Sequence, residues 1–322
     1  MSAAAPYARH LPLALLLAAL VAIPFLCGGY TLYRFSLAWA LAIAVLGLTL
    51  LTGLNGQLSV GHSAFFAVGA FLTAMVMRDW GLSAYLALPV AGVGAFVTGF
   101  LFGLPAVRLG LVHLALATWG LSLALPQFLK WSVIAPWTGG VQGLYLERPH
   151  APFGLPLSDD QWWYVVCAVA LVVMLLPALN LSRGRIGRAL MAVRDNELAA
   201  APAGINVTLY KATIFGISAL YAGVAGGLAG LRTDFIGPDT YGLFFSIQLL
   251  VGAVAGGLHS VWGAVFGGLL IQFLPDLAAD ASGIMSFPAY GLILIALVYL
   301  LPSGFAGALQ RAGSWAAARL RR

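Results

Sequence analysis

Residues 180–211 read NLSRGRIGRALMAVRDNELAAAPAGINVTLYK, and their charge decides how the rest of the chain is laid out. Five of the sixteen lysines and arginines fall here: Arg183, Arg185, Arg188, Arg194 and Lys211. Long apolar runs lie on both sides. A chain that crosses a bilayer leaves its basic residues in cytoplasmic loops, so 180–211 is placed on the cytoplasmic side. The stretch is also helix-patterned, with Ile186, Leu190 and Val193 on one face. Asp195 and Glu197 suit a helix N-terminus, and Pro202 with Gly204 then breaks the run. Two short amphipathic pieces with a bend are expected. Two roles fit them: a surface helix held by its arginines to membrane lipid, or a lever that docks on a cytoplasmic partner.

The rest of the chain explains why such a loop stands out. Of 322 residues, 61% are hydrophobic and 8% charged, with a mean hydropathy of +0.97; a soluble domain carries about 25% charged residues. No soluble fold of this size hides so much apolar surface. The expected fold is all-α, a polytopic transmembrane helix bundle forming one domain over 1–322. A net charge of +6 would fit nucleic acid in a soluble protein. Here the placement of basic residues in inner loops explains it, and no nucleic-acid partner is expected. Cys27 and Cys167 both lie inside apolar runs and read as small core residues. Arg9 and the run Leu11 to Gly28 resemble a signal peptide. The run ends in Phe25-Leu26-Cys27-Gly28 without a small-x-small cleavage pattern, so it is read as a retained first helix.

A membrane helix needs about 20 apolar residues. Candidate spans are Leu11–Gly29, Leu37–Leu54, Val60–Met77, Ala84–Leu104, Leu109–Leu129, Trp162–Leu179, Ala212–Gly230, Leu243–Gly257, Val261–Leu274 and Phe287–Leu301. The eighth and ninth are short and read as tilted, broken or re-entrant, which is tolerated only where protein or a cavity covers the backbone. With 180–211 inside, ten spans put both termini in the cytoplasm, with the tail Arg311, Arg319, Arg321 and Arg322. The loops Trp131–Gln161, Leu231–Gly242 and Pro275–Ser286 fall outside. Basic residues then divide eleven inside to five outside, and acids two inside to eight outside. Trp131, Trp137, Trp162, Trp163 and Tyr164 flank the first outer loop as an interfacial belt. That loop, 131–161, reads as a periplasmic cap on the membrane surface.

Sites for chemistry are few. The chain contains no GxxxxGK[ST] phosphate loop. His62 and Ser63 are adjacent on a helix and do not face each other, which argues against a catalytic pair. None of the acids falls mid-span, whereas ion-coupled carriers usually place a carboxylate there. A stand-alone or ion-coupled carrier or facilitator therefore remains the alternative reading. Polar residues and glycines interrupt the apolar stretch at Leu54-Asn55-Gly56-Gln57-Leu58-Ser59-Val60-Gly61-His62. Gly56 frees the backbone, and Asn55 or Ser59 can cap a new helix. One reading is a short cytoplasmic turn. The other is a substrate contact at Asn55, Gln57, Ser59 and His62, with a helix N-terminus facing a carboxylate. A similar interruption, Gly256-Gly257-Leu258-His259-Ser260-Val261-Trp262-Gly263, lies late in the chain. Two broken pairs, one in each half, fit an internal duplication around a pathway. The glycines of 223–227 and 263–268 read as sites of close helix packing.

These motifs resemble a known family. Gly56-Gln57-Leu58-Ser59-x-Gly61-His62 is similar to the signature of the branched-chain amino-acid ABC transporter permeases, LivM type. Ser182-Arg183-x-x-x-Gly187-Arg188-Ala189, Arg194-Asp195-Asn196-Glu197 and Gly204-Ile205-Asn206-Val207-x-x-Tyr210-Lys211 resemble its cytoplasmic loop. Ser246-Ile247, Gly256-Gly257-Leu258 and Ser260-x-Trp262-Gly263 complete the match, which covers roughly 37–301. The resemblance implies an ABC importer permease in the bacterial inner membrane. Its partners would be a second permease subunit of LivH type, two cytoplasmic ATP-binding subunits and a periplasmic substrate-binding protein. The chain would carry no cofactor and no catalytic or metal site of its own, ATP being bound by the partner subunits. Arg188, Arg194, Asp195, Asn196, Glu197, Ala200 and Gly204 would form the ATPase-coupling loop. Three positions depart from the pattern: Gln248 stands where relatives often carry an acid, His259 where they carry Gly, and Pro202 where many carry a helix former. Cargo would be a branched-chain or related small amino acid; relatives also move urea, amides and aromatic acids.

Overall fold

A computed structural model describes residues 7–147, 149–151, 157–282, 286–301, 303–308 and 311. Arg148, residues 152–156 of the first outer loop and the tail residues Arg319, Arg321 and Arg322 lie outside the described residues. The helices are α1 (Tyr7–Leu26), α2 (Gly29–Leu48), α3 (His62–Trp80), α4 (Ala84–Ala106), α5 (Leu111–Leu129), α6 (Ala135–Thr138) and α7 (Asp159–Arg183). They continue with α8 (Arg185–Asp195), α9 (Glu197–Ala200), α10 (Val207–Thr233), α11 (Leu243–Gly256), α12 (Gly263–Ser282) and α13 (Ser286–Leu300). Every candidate span coincides with one of these helices. Among the described residues, five are by length and composition able to cross a membrane: α2 with its extension to Leu54, α4, α5, α7 and α10.

Burial sorts these five. The apolar windows of α2 and α10 are 83% and 89% buried, whereas those of α4, α5 and α7 are 39%, 22% and 28% buried. A helix apolar all round and buried all round is a central helix. So α2 and α10 form the middle of the bundle, and α4, α5 and α7 turn apolar faces outward. Their approach is close because small residues let backbones meet. A Cβ on Gly226 would land on the Phe66 carbonyl, and one on Gly69 would land on the Gly223 carbonyl. Gly267 and Gly268 meet the backbones of Gly252 and of Ala38–Ala42 in the same way.

The outer elements meet at one end of the bundle. β1 (Leu144–Tyr145) pairs antiparallel with β2 (Phe235–Ile236), Leu144 opposite Ile236. This strand pair is an addition to the all-helical expectation, and two residues per strand leave no periodicity to read. Lys130 of the α5 end joins Asp239 at 2.5 Å, and Arg232 of α10 joins Asp160 of α7 at 2.6 Å. Arg34 of α2 pairs with Asp276 of α12. That last pair holds α12 well past the expected Leu274, so the ninth segment is a full 20-residue helix. α11 stays short at 14 residues, about 21 Å at 1.5 Å per residue.

The aromatic belt splits. Trp131 and Trp137 are exposed, but Trp163 and Tyr164 are fully buried. Trp163 stacks on Tyr85 with ring centroids 6.4 Å apart and donates its indole N–H to the Pro149 carbonyl at 3.1 Å. Tyr164 donates to the Leu20 carbonyl at 3.1 Å. Both satisfy their polar ends inside the protein, which frees them from the interface. α7 starts at a capping box in which Ser158 and Gln161 exchange bonds, with Asp159 and Asp160 in its first turn; each feature stabilises a helix N-terminus. Cys27 and Cys167 are free thiols, the second one buried.

Candidate functional site

The opposite end of the bundle holds the two interrupted hairpins. α2 does not simply stop: Thr49–Leu54 continue it as a π-helical turn, a distortion that recurs at functional sites. The chain then turns at Gly56, φ +73°, and runs irregularly until α3 begins at His62. The late interruption, between Gly256 and Gly263, turns at Gly257 with φ +120°. The two breaks touch. A Cβ on Gly53 would land on the Leu258 carbonyl, so glycine is what lets the first break lie against the second. A cavity of about 270 Å³ opens where Thr49, Leu54, Met191, Leu258, His259 and Trp262 meet.

Neither Asn55 nor Ser59 caps α3, contrary to expectation. The cap position is Gly61, which has no side-chain cap bond. One N–H of the first turn and one just before the cap are taken by neighbours. Val60 donates to Thr118 Oγ1 of α5 at 3.0 Å, and Ser63 donates to Ser246 Oγ of α11 at 2.9 Å. Asn55 instead closes the π turn, its N–H directed at the Leu51 and Thr52 carbonyls.

His62 is fully buried and both ring nitrogens are engaged. Nε2 lies 2.6 Å from Ser218 Oγ, and Nδ1 lies 2.9 Å from Ser59 Oγ. Ser218 spends its own proton on the Gly47 carbonyl at 2.7 Å. Its oxygen is therefore left to accept, which places the His62 proton on Nε2. In the neutral ring, Nδ1 then accepts from the Ser59 hydroxyl. This relay ties α3 to α10 and α2 through the middle of the core.

Asn55 and Gln57 differ from the relay. Both are buried, at 3% and 5% exposure. Among the described residues, neither Nδ2 nor Oδ1 of Asn55 has a hydrogen-bond partner, and Oε1 of Gln57 has none. Thr49 Oγ1 and Ser63 Oγ are in the same position. Buried polar atoms are nearly always paired, and an orphan costs about 1–3 kcal/mol. Several on one interrupted hairpin mark a place where polar atoms await a partner.

The loop 180–211 folds over this end. α8 buries Leu190 and Val193, but Ile186 is half exposed, beside Leu209 and Tyr210. The bend comes at Asn196, earlier than the expected break at Pro202. Asn196 is extended, and its Oδ1 accepts from the N–H groups of Leu198 and Ala199 at 3.0 and 3.1 Å. A cap of this kind starts a new helix wherever the backbone is extended. After α9 the chain closes with Gly204 donating to the Ala201 carbonyl and Ile205 to the Ala200 carbonyl. That is a Schellman stop with Gly204 in the left-handed position, φ +82°. Pro202 therefore sits inside a stop that needs no N–H from it.

The remaining loop residues have separate roles. Arg188 donates to the Arg183 carbonyl at 3.2 Å and stays within the loop. Glu197 pairs with Lys211 at the start of α10, and Ala200 is buried. Arg194 reaches out of the loop to the Gly53 carbonyl at 2.8 Å, held by Asp195 at 3.2 Å. Leu198 is 86% exposed at the tip of α9. Gly53, Thr118, Ser218 and the orphaned Thr49 carry no signal among the sequence motifs, and Ser63 shows there only as the neighbour of His62. Ser246 carries one, within the Ser246-Ile247 match.

Spanning helices, two interrupted hairpins that meet, and a projecting helical loop define a multi-pass membrane permease. A family model described as "Branched-chain amino acid transport system / permease component" matches residues 30–302. The chain belongs to that family and is a permease subunit of it. It is 30% identical to the high-affinity branched-chain amino acid transport system permease protein LivM of Escherichia coli (strain K12), over 90% of this chain and 73% of that one. It is 25% identical to permease protein BraD of Pseudomonas aeruginosa, over 83% of this chain and 91% of the relative. Permease protein LivH of Escherichia coli (strain K12) is 25% identical over the same shares. No solved structure matches the chain.

Proposed function

We propose that the chain is one of two unlike permease subunits of an ATP-driven importer for branched-chain or related small amino acids. It works in the bacterial inner membrane with both termini in the cytoplasm, a LivH-type permease beside it and a periplasmic binding protein delivering cargo. Two ATP-binding subunits dock on α8–α9 and hold the nucleotide. The observation that carries this reading is the projecting α9. Its tip presents Leu198 to solvent, while the Glu197–Lys211 pair and the Arg194–Gly53 bond tie its base to the bundle. An exposed apolar knob on a firmly anchored loop is built for a partner's pocket. The test is a purified complex carrying Glu197→Lys and Gly204→Arg. ATP hydrolysis coupled to transport is expected to fall about tenfold, the effect of 1.4 kcal/mol at an interface. Unchanged coupling removes docking from this loop.

Cargo passes the first break, with Asn55 and Gln57 offering amide contacts and Ser59 and His62 holding the shape. The orphaned side-chain atoms of Asn55 and Gln57 support this assignment. Because the Asn55 side chain makes no hydrogen bond among the described residues, Asn55→Ala, which keeps the backbone bond, is expected to cost no stability. Uptake should fall several-fold after Asn55→Ala or Gln57→Ala. Equal uptake after Gln57→Ala and Ser59→Ala would move the contact elsewhere.

A further inference from the structure

We propose that Arg194 is the positioning residue through which the cytoplasmic loop acts on the first helix break, setting where Asn55 and Gln57 stand. The inference rests on the coupling role of α8–α9 given above and says where that loop bears.

The break leaves the last carbonyls of the π turn without the helical donors that would follow. Arg194 supplies one: its Nη1 donates to the Gly53 carbonyl at 2.8 Å, across 141 residues of sequence. A cation at a helix C-terminus also meets the negative end of the dipole. The same side chain lies against Gly56. A Cβ there would come within 2.6 Å of Arg194 Cγ, so the aliphatic stem covers the turn while the head holds the carbonyl. Asn55 lies between these two held points, and Gln57 follows directly. On the far side, Gly53 abuts the Leu258 carbonyl of the second break. At the other end of the arm, Nε and Nη2 of Arg194 both donate to Asp195 Oδ1 at 3.2 Å. Asp195 directly precedes Asn196, the cap of α9. A displacement of α9 thus reaches the break through one guanidinium. Among the described residues Arg188, the neighbouring loop arginine, bonds within its own loop, to the Arg183 carbonyl, and offers no such route.

The geometry uses what arginine has and lysine lacks. A planar fork holds the Asp195 carboxylate and the Gly53 carbonyl at once, whereas an ammonium on a flexible stem is a point charge. A simple cap would stabilise the break without passing on motion, and the two roles separate by measurement. The purified complex with partner permease, ATP-binding subunits and binding protein is placed in lipid nanodiscs. Amide hydrogen exchange is followed with and without a non-hydrolysable ATP analogue. In the natural protein the analogue is expected to change exchange in both 185–204 and 53–61. In Arg194→Ala the change at 185–204 persists, while that at 53–61 shrinks by about threefold or more. Arg194→Lys, which keeps the charge, falls between, and it serves if the alanine variant does not assemble. An equal change at 53–61 in natural protein and variants overturns the proposal and leaves the docking role standing. No change at 185–204 even in the natural protein overturns both.

Discussion

Asp160→Ala is expected to strip the folded protein of about 2–3 kcal/mol, less than the ~3–5 kcal/mol of a fully buried pair because the Asp160 side chain is 38% exposed. Arg232, on the central helix α10, has a side chain with no exposure, and its Nη2 donates to Asp160 Oδ1 at 2.6 Å. Its guanidinium lies 4.5 Å from the Tyr33 ring centre. Among the described residues Nε and Nη1 have no partner of their own, so Asp160 carries the electrostatic compensation. The other Asp160 oxygen lies so close to Gly29 that a Cβ there would be 2.8 Å away. The pair therefore joins α2, α7 and α10 at one end of the bundle. Asp160→Ala leaves the cation among apolar walls. Arg232→Met on top of it removes the charge and keeps the volume, and should restore most of the loss, since buried pairs replaced together are often near neutral. Thermal unfolding of the detergent-purified protein, compared for single and double variants, reads this directly. A double variant no more stable than the single one would show that the charge was not the cause.

The second large effect is expected from Gly226→Val. Gly226 faces the Phe66 carbonyl so closely that even a Cβ would land on the oxygen. The obstacle is backbone, which cannot rotate aside. Ala70 N, at 3.1 Å from the same Cβ, closes the other route. α3 and α10 must then separate, at about 1–3 kcal/mol or more for an overpacked core. Separation also pulls on the His62–Ser218 bond, which joins the same two helices, so uptake should fall along with stability. The control is Gly120→Ala on α5, where a Cβ meets nothing within 4 Å. Helix propensity alone should make it neutral or stabilising by up to about 1 kcal/mol. Similar losses from both substitutions would mean that close helix approach is not what Gly226 provides.

What could be read ahead of the structure followed from local physics. Spans showed because about 20 apolar residues are a strong one-dimensional signal. The broken second hairpin and the bent loop showed because glycine, asparagine and proline punctuate locally. The misses share a cause: their partners lie far away in sequence. Where Asn55 or Ser59 was expected to cap α3, Ser246 takes the Ser63 N–H of its first turn and Thr118 holds Val60 just before the cap. Trp163 and Tyr164 look like belt residues until Pro149 and Leu20 take their polar ends. α12 runs past Leu274 where Arg34, 242 residues away, meets Asp276. In the loop, Ile186, Leu190 and Val193 share a face by periodicity, but only the last two are covered. Of the coupling set, Arg194 was legible as a basic residue; its bond to the Gly53 carbonyl was not.

This chain is expected to move cargo only as a subunit driven by ATP bound elsewhere. The direct measurement is uptake of radiolabelled leucine into proteoliposomes, comparing the full complex with this chain alone. Uptake against a gradient should require ATP on the α8–α9 side together with the partner permease, the ATP-binding subunits and the binding protein. Equal uptake by this chain alone, in liposomes without ATP, would make the protein a self-sufficient carrier and remove the need for ATP-binding partners.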